Sequence, residues 1–82
     1  MIRSSLEWNN IEIKLRRQAR GWMYEGEILR MINNIQSEIV LLSKAEVDAR
    51  RGNTLKSTEL LERINNDIEM IEEYLIVAAL IG

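Results

Sequence analysis

Ile28, Ile32, Ile35, Ile39 and Leu42 recur at spacings of four, three, four and three, and Leu61, Ile64, Ile68, Ile71, Leu75 and Ala78 at three, four, three, four and three. Residues three and four apart share one face of an α-helix, so each run is an apolar seam. The chain contains no proline, which leaves both seams free to lie on long helices. About 25 residues at ~1.5 Å each make a rod of roughly 38 Å.

The segment between the seams, DARRGNTLKSTE (48–59), carries the signals of a helix end followed by a helix start. Arg50 and Arg51 suit the negative end of a helix dipole, Gly52 suits the left-handed residue that closes a helix, and Asn53 or Thr54 can cap the next one. The seams meet at the same place. The pairs Leu42/Leu61, Ile39/Ile64, Ile35/Ile68, Ile32/Ile71 and Ile28/Leu75 have residue numbers that all sum to 103, so their mirror point lies between Arg51 and Gly52. Two independent signals therefore specify one antiparallel helical hairpin.

The triplet INN occurs in both helices, at 32–34 and 64–66. In each case the isoleucine belongs to the seam and the asparagines flank it. The favoured reading is a shared packing rhythm with polar neighbours; the sharper alternative is an amide ladder that fixes register. The apolar stripe is wider than one seam. Met31, Leu41 and Ala45 flank it on the first helix, and Leu60, Met70, Tyr74, Val77 and Ile81 on the second. A stripe this wide belongs to a bundle of three or four helices, so the N-terminal segment or a second hairpin must cover it.

Within residues 4–26, Trp8, Ile11, Leu15, Ala19 and Trp22 form a helical stripe, although Ile11, Ile13 and Leu15 also alternate like a strand. Helix is preferred, because a lone strand has no partner elsewhere in the chain. Ser4 or Ser5 can cap it with Glu7 in the first turn. Gly21 and Gly26 then bracket a bend, GWMYEG. Extending the mirror relation places Ile81 beside Trp22, which predicts that the bend and the C-terminal YLIVAALIG pack together.

Composition narrows the chemistry. With no Cys and no His among 82 residues, disulfides, thiol nucleophiles, imidazole catalysis and Cys/His zinc sites are excluded. Apolar residues make up 46% and charged residues 29%, which indicates a globular chain whose core is mainly Ile and Leu. No apolar run approaches the ~20 residues of a membrane span, and MIRSSLEWNN has no signal-peptide core, so a soluble, intracellular (cytoplasmic) protein is expected. Residues 1–30 carry a net +2, residues 31–52 balance, and residues 53–82 carry a net −4. That split suits contact between opposite charges on two protomers, or a basic patch on an acidic body.

Lys14, Arg16, Arg17 and Arg20, followed by Trp22 and Tyr24, are the candidate nucleic-acid contacts, since cations neutralise phosphates and rings stack on bases. A solvated helix face explains the same residues, and the acidic chain favours that explanation. Glutamates at 7, 12, 25 and 27 break up any cationic membrane-binding face. The carboxylates Glu59, Glu62, Asp67, Glu69, Glu72 and Glu73 read as a solvated face, and a helical di-metal site would need the missing His. Glu46, at a seam position opposite Ser57, is expected to reach water, Ser57 or Thr54. No glycine-rich phosphate loop, nucleophile elbow or cofactor motif is present, so no catalytic, cofactor-binding or metal residue is assigned, and an enzyme is not expected.

Asp48, the Gly52-Asn53 turn, Lys56, Ile68, Glu69 and Tyr74 give residues 48–75 a pattern that resembles small helical-hairpin adaptor proteins of archaeal viruses and plasmids. The resemblance implies a homodimer of hairpins forming a four-helix bundle that acts as an interaction adaptor. The N-terminal segment with Trp8 and Trp22 departs from that pattern.

The sequence thus reads as an all-α chain: an N-terminal helix at about 4–20 and an antiparallel hairpin at about 27–51 and 54–80, associating as a helical-bundle homodimer. The expected function is protein–protein interaction without catalysis, as an adaptor or regulatory module. Met70, Tyr74, Val77, Ile81, Trp8 and Trp22 are the candidate contact residues. The alternative is a small nucleic-acid-binding regulator presenting residues 14–20.

Overall fold

A computed structural model describes residues 1–81. A short 3-10 turn, Ser5–Glu7, leads into α1, Trp8–Ala19; α2 spans Glu25–Arg50 and α3 spans Leu55–Ile81. The three helices form a rod of 48 × 17 × 15 Å. The fold is all-α, and α2 and α3 are the antiparallel hairpin that the mirrored seams require.

The hairpin turn closes as a Schellman motif. Asn53 N–H donates to the Asp48 carbonyl at 3.2 Å and Gly52 N–H to the Ala49 carbonyl at 3.1 Å. Gly52 sits at φ +104°, a backbone region that side chains with a Cβ rarely adopt. On the far side, the Ser57 and Thr58 hydroxyls each donate to the Thr54 carbonyl at 2.9 Å and tie down the first turn of α3.

Ile28, Ile32, Ile64 and Ile71 are fully buried in the seam, with Ile35, Ile39, Leu42 and Ile68 beside them. Burying one such side chain is worth roughly 1.5–3 kcal/mol, against a few tenths for a surface pair such as Arg16–Glu12 at 2.9 Å. Packing therefore decides the fold. The seam departs from the expected one near the turn, where Leu60 and Ser57 are buried and Leu61 is only half-buried. A straight helix has 3.6 residues per turn and drifts by about 20° per heptad against a strict 3.5 repeat, which over the length of α3 turns Leu60 inward in place of Leu61.

α1 folds back along the hairpin in its own chain, parallel to α3. Three polar anchors hold the N-terminal segment. Ile2, 2% exposed, exchanges two backbone hydrogen bonds with the Asn65 amide, its N–H donating at 2.8 Å and its carbonyl accepting at 3.0 Å. Ser5 donates its N–H to Glu46 at 2.9 Å and its hydroxyl to the same carboxylate. The Trp8 indole N–H donates to Gln36 at 2.7 Å. Glu46 thus departs from the expectation that it meets Ser57 or Thr54: the N-terminal turn brings an unpaired backbone N–H within its reach. Asn65 gives one copy of the INN triplet a structural task, while Asn33 and Asn34 remain exposed.

Gly21, at φ +78°, ends α1. The bend is shorter than expected, because α2 begins at Glu25 and takes Gly26 into its first turn. Trp22 N–H bonds the Ala19 carbonyl at 3.1 Å and Glu25 N–H bonds that of Trp22 at 3.0 Å, so consecutive turns link the two helices.

Candidate functional site

Helix α3 outruns its neighbours. Glu25, the first residue of α2, lies level with Ala78, so the last turn of α3 has no helix beside it. Leu80 and Ile81 are each 82% exposed, Ile76 is 60% exposed, and Met23 on the nearby bend is 83% exposed. Four large apolar side chains thus stand exposed at one end of a small bundle, and apolar surface left open in this way marks a candidate interaction surface.

Beside this end, α1 and α3 diverge around a groove of about 550 Å3. Trp22, Leu75, Ala78 and Ala79 supply apolar walls, with Ile76 at the rim. Lys14 stands on the α1 bank and Glu72 on the α3 bank; neither forms an ion pair among the described residues. Small alanines are what allow the groove to open between the helices.

Three rings close the end of the bundle. Trp22 meets Tyr24 at 5.1 Å and Tyr74 at 5.5 Å between centroids, and Tyr24 meets Tyr74 at 6.3 Å, all edge-to-face. The Tyr74 hydroxyl donates to Glu27 at 3.3 Å. Desolvation first, then the Glu27 carboxylate, holds that hydroxyl's pKa above its ordinary value. Trp22 therefore meets α3 along Tyr74 to Ala79, upstream of the expected Ile81. Trp22 lies in the bend, outside helix α2, so the mirror relation between the helices does not extend to it.

The face of the hairpin turned away from α1 carries the rest of the wide stripe. Met31 is half-buried there, and Leu41, Met70 and Val77 are about half exposed. A smaller groove of about 190 Å3 runs between Met31, Asn34, Asp67 and Met70. At its edge sits a carboxyl pair that the sequence reading missed. Glu38, its side chain 16% exposed, is pushed up to about pKa 7 by burial, by hydrogen bonding to Asp67 and by the Asp67 charge, against an opposing Arg63 at 3.9 Å. Its Oε1 is buried without a hydrogen-bond partner among the described residues. Asp67 is thus not part of a plain solvated face. The signal was present: Glu38 precedes seam Ile39, Asp67 precedes seam Ile68, and the mirror relation puts them in neighbouring layers.

The pair has a pH consequence. A carboxyl whose pKa is higher in the fold than in the unfolded chain binds its proton more tightly when folded, so its contribution is present at low pH and lost as pH rises through about 7. Glu38→Gln keeps the donor and removes the charge. At pH 8 it should stabilise the fold by on the order of 1–2 kcal/mol, and at pH 4 the gain should vanish. Urea titrations at the two pH values read this directly; an equal gain at both would show that the pair is not the cause.

The six contact candidates separate by position. Val77 and Ile81 lie open at or near the apolar end, Met70 borders the smaller groove, and Tyr74 and Trp22 join in the ring cluster. Trp8 differs: it is 3% exposed, and its surface is used within its own chain. The basic candidates do not gather on one face. Lys14 lines the groove beside α3, Arg16 lies on the other side of α1 paired to Glu12, and Arg17 and Arg20 are exposed between them. Trp22 and Tyr24 pack against Tyr74 rather than standing free for stacking.

Among the described residues there is no group of three or more His, Cys, Asp or Glu placed to hold a metal ion, and no helix is long and apolar enough to cross a membrane. No protein-family model matches the chain, and neither a curated protein nor a solved structure matches it.

Proposed function

We propose that this chain is a non-catalytic protein–protein interaction module, an adaptor or regulatory helical bundle whose contact surface is the apolar end of α3 with the adjoining groove. The observation that carries the reading is the exposure of Ile76, Leu80, Ile81 and Met23 together, beside a groove walled by Trp22 and two alanines. Leaving that much apolar surface in water costs roughly 25 cal/mol per Å2, and a protein contact removes the cost. The bundle supplies what such a module needs, a rigid seam that holds the surface in one shape.

The rival reading, a nucleic-acid-binding regulator, is supported by the exposed Arg17 and Arg20. Two sets of substitutions separate them. Ile76→Asp with Leu80→Asp should leave helicity intact and abolish association with protein, whether self-association or complexes isolated from the source cell. Arg16→Glu, Arg17→Glu and Arg20→Glu together should leave the Ile76/Leu80-dependent association in place. Loss of polyanion binding in the arginine variant, with unchanged association in the aspartate variant, would overturn the interaction reading in favour of its rival.

A further inference from the structure

We infer that the groove between α1 and α3 is a self-association face, and that a second copy occupies it with a two-fold axis running along the helices, so that α1 of each copy lies over α3 of the other. This inference rests on the interaction reading above and names its partner. Charge carries the choice of partner. The α1 bank of the groove presents Lys14 and the α3 bank presents Glu72. Neither side chain has an ion-pair partner among the described residues. A basic bank and an acidic bank on either side of an apolar floor make a face that is complementary to itself.

The same pattern selects the symmetry. An isologous dimer brings one patch against its own copy. A two-fold axis across the helices would lay α1 on α1 and α3 on α3, matching cation with cation and carboxylate with carboxylate. An axis along the helices exchanges the banks. Lys14 and Glu72 line the same stretch of groove, so this rotation keeps them level and sets each against the other copy's opposite charge. It also places the two α3 ends side by side, with Leu80 and Ile76 near the other copy's Trp22 wall. Ala78 and Ala79 let the helices approach closely. Because the apolar contact covers only the open half of the rod, association is reversible and concentration-dependent, with a dissociation constant on the order of 1–100 µM.

The test is sedimentation equilibrium on the full chain and on two charge-reversed variants, Lys14→Glu and Glu72→Lys. Both positions are exposed, and far-ultraviolet circular dichroism confirms that each variant is folded. The wild-type chain should pass from monomer to dimer with rising concentration. Each variant alone should associate at least tenfold more weakly, and an equimolar mixture of the two should recover the wild-type dimer, because both of its contacts again join opposite charges. A wild-type chain that stays monomeric throughout overturns the inference. So does a dimer that neither variant weakens, or a mixture that binds far more tightly than wild type, which is the mark of the crosswise axis. If the wild-type chain is monomeric and Ile76→Asp with Leu80→Asp still abolishes its cellular complexes, self-association fails while the interaction reading stands.

Discussion

Ile64→Asp should leave the chain largely unfolded at 25 °C. Ile64 is fully buried against α2, in the layer it shares with Ile39, so an aspartate there has no water and no cationic partner. Inserting it costs the lost apolar burial and the desolvation of a charge or of a protonated acid, together about 3–5 kcal/mol. A domain of this size has roughly 4–12 kcal/mol in total, and a small bundle with a limited core belongs toward the lower end. The readout is helical ellipticity with and without urea. A variant whose transition midpoint matches wild type would show that the hairpin does not pack along this seam.

Trp8→Ala is expected to have the second-largest effect, about 3–5 kcal/mol, and a different character. Trp8 is 3% exposed and its indole holds Gln36, so truncation removes the main apolar anchor of α1 and leaves a cavity beneath the helix. The α2–α3 seam retains its own partners, and amide exchange should accelerate across α1 before it does in Ile28–Leu42. Because α1 packs within its own chain, the loss should not depend on protein concentration. A destabilisation that disappears at high concentration would instead place α1 across a dimer.

The hairpin was legible in the sequence because two kinds of physics coincide at one point. Burial periodicity set the mirror at Arg51/Gly52, and backbone preference put a left-handed glycine there. Where only one kind operated, the reading slipped. Leu61 was favoured over Leu60 because a strict three-four pattern ignores helical drift. Trp22 was placed against Ile81 by extending a helix relation into a bend. The side of the hairpin that α1 covers has no periodic signal at all, since it depends on Asn65, Glu46 and Gln36 accepting or exchanging hydrogen bonds with a segment more than twenty residues away. Ile2, buried by that docking, looks like an ordinary terminal residue in the sequence.

The candidate surface was legible in part. Apolar residues beyond the seam marked α3 as unfinished, and Val77 and Ile81 do stand open. Periodicity alone did not separate the face beside α1 from the face opposite it. The groove lies between α1 at Lys14 and Gln18 and α3 at Glu72 to Ala79, a juxtaposition that appears only when the helices are set side by side. Charge was a better guide than its net value of −2 suggested. The basic and acidic groups separate by helix, and on the groove that separation becomes two facing banks.

The most direct test of this account is the accessibility of Trp22 measured alongside native mass. Trp8→Phe retains an aromatic ring in the core and leaves Trp22 as the one indole. Acrylamide quenching and light scattering on the same samples, over increasing concentration, then report whether the groove is covered as the chain associates. Quenching should fall and emission should shift to shorter wavelength in step with the rise in mass. A mass that doubles while Trp22 remains equally quenchable would place the contact elsewhere and contradict the assignment of the α1–α3 groove as the association surface.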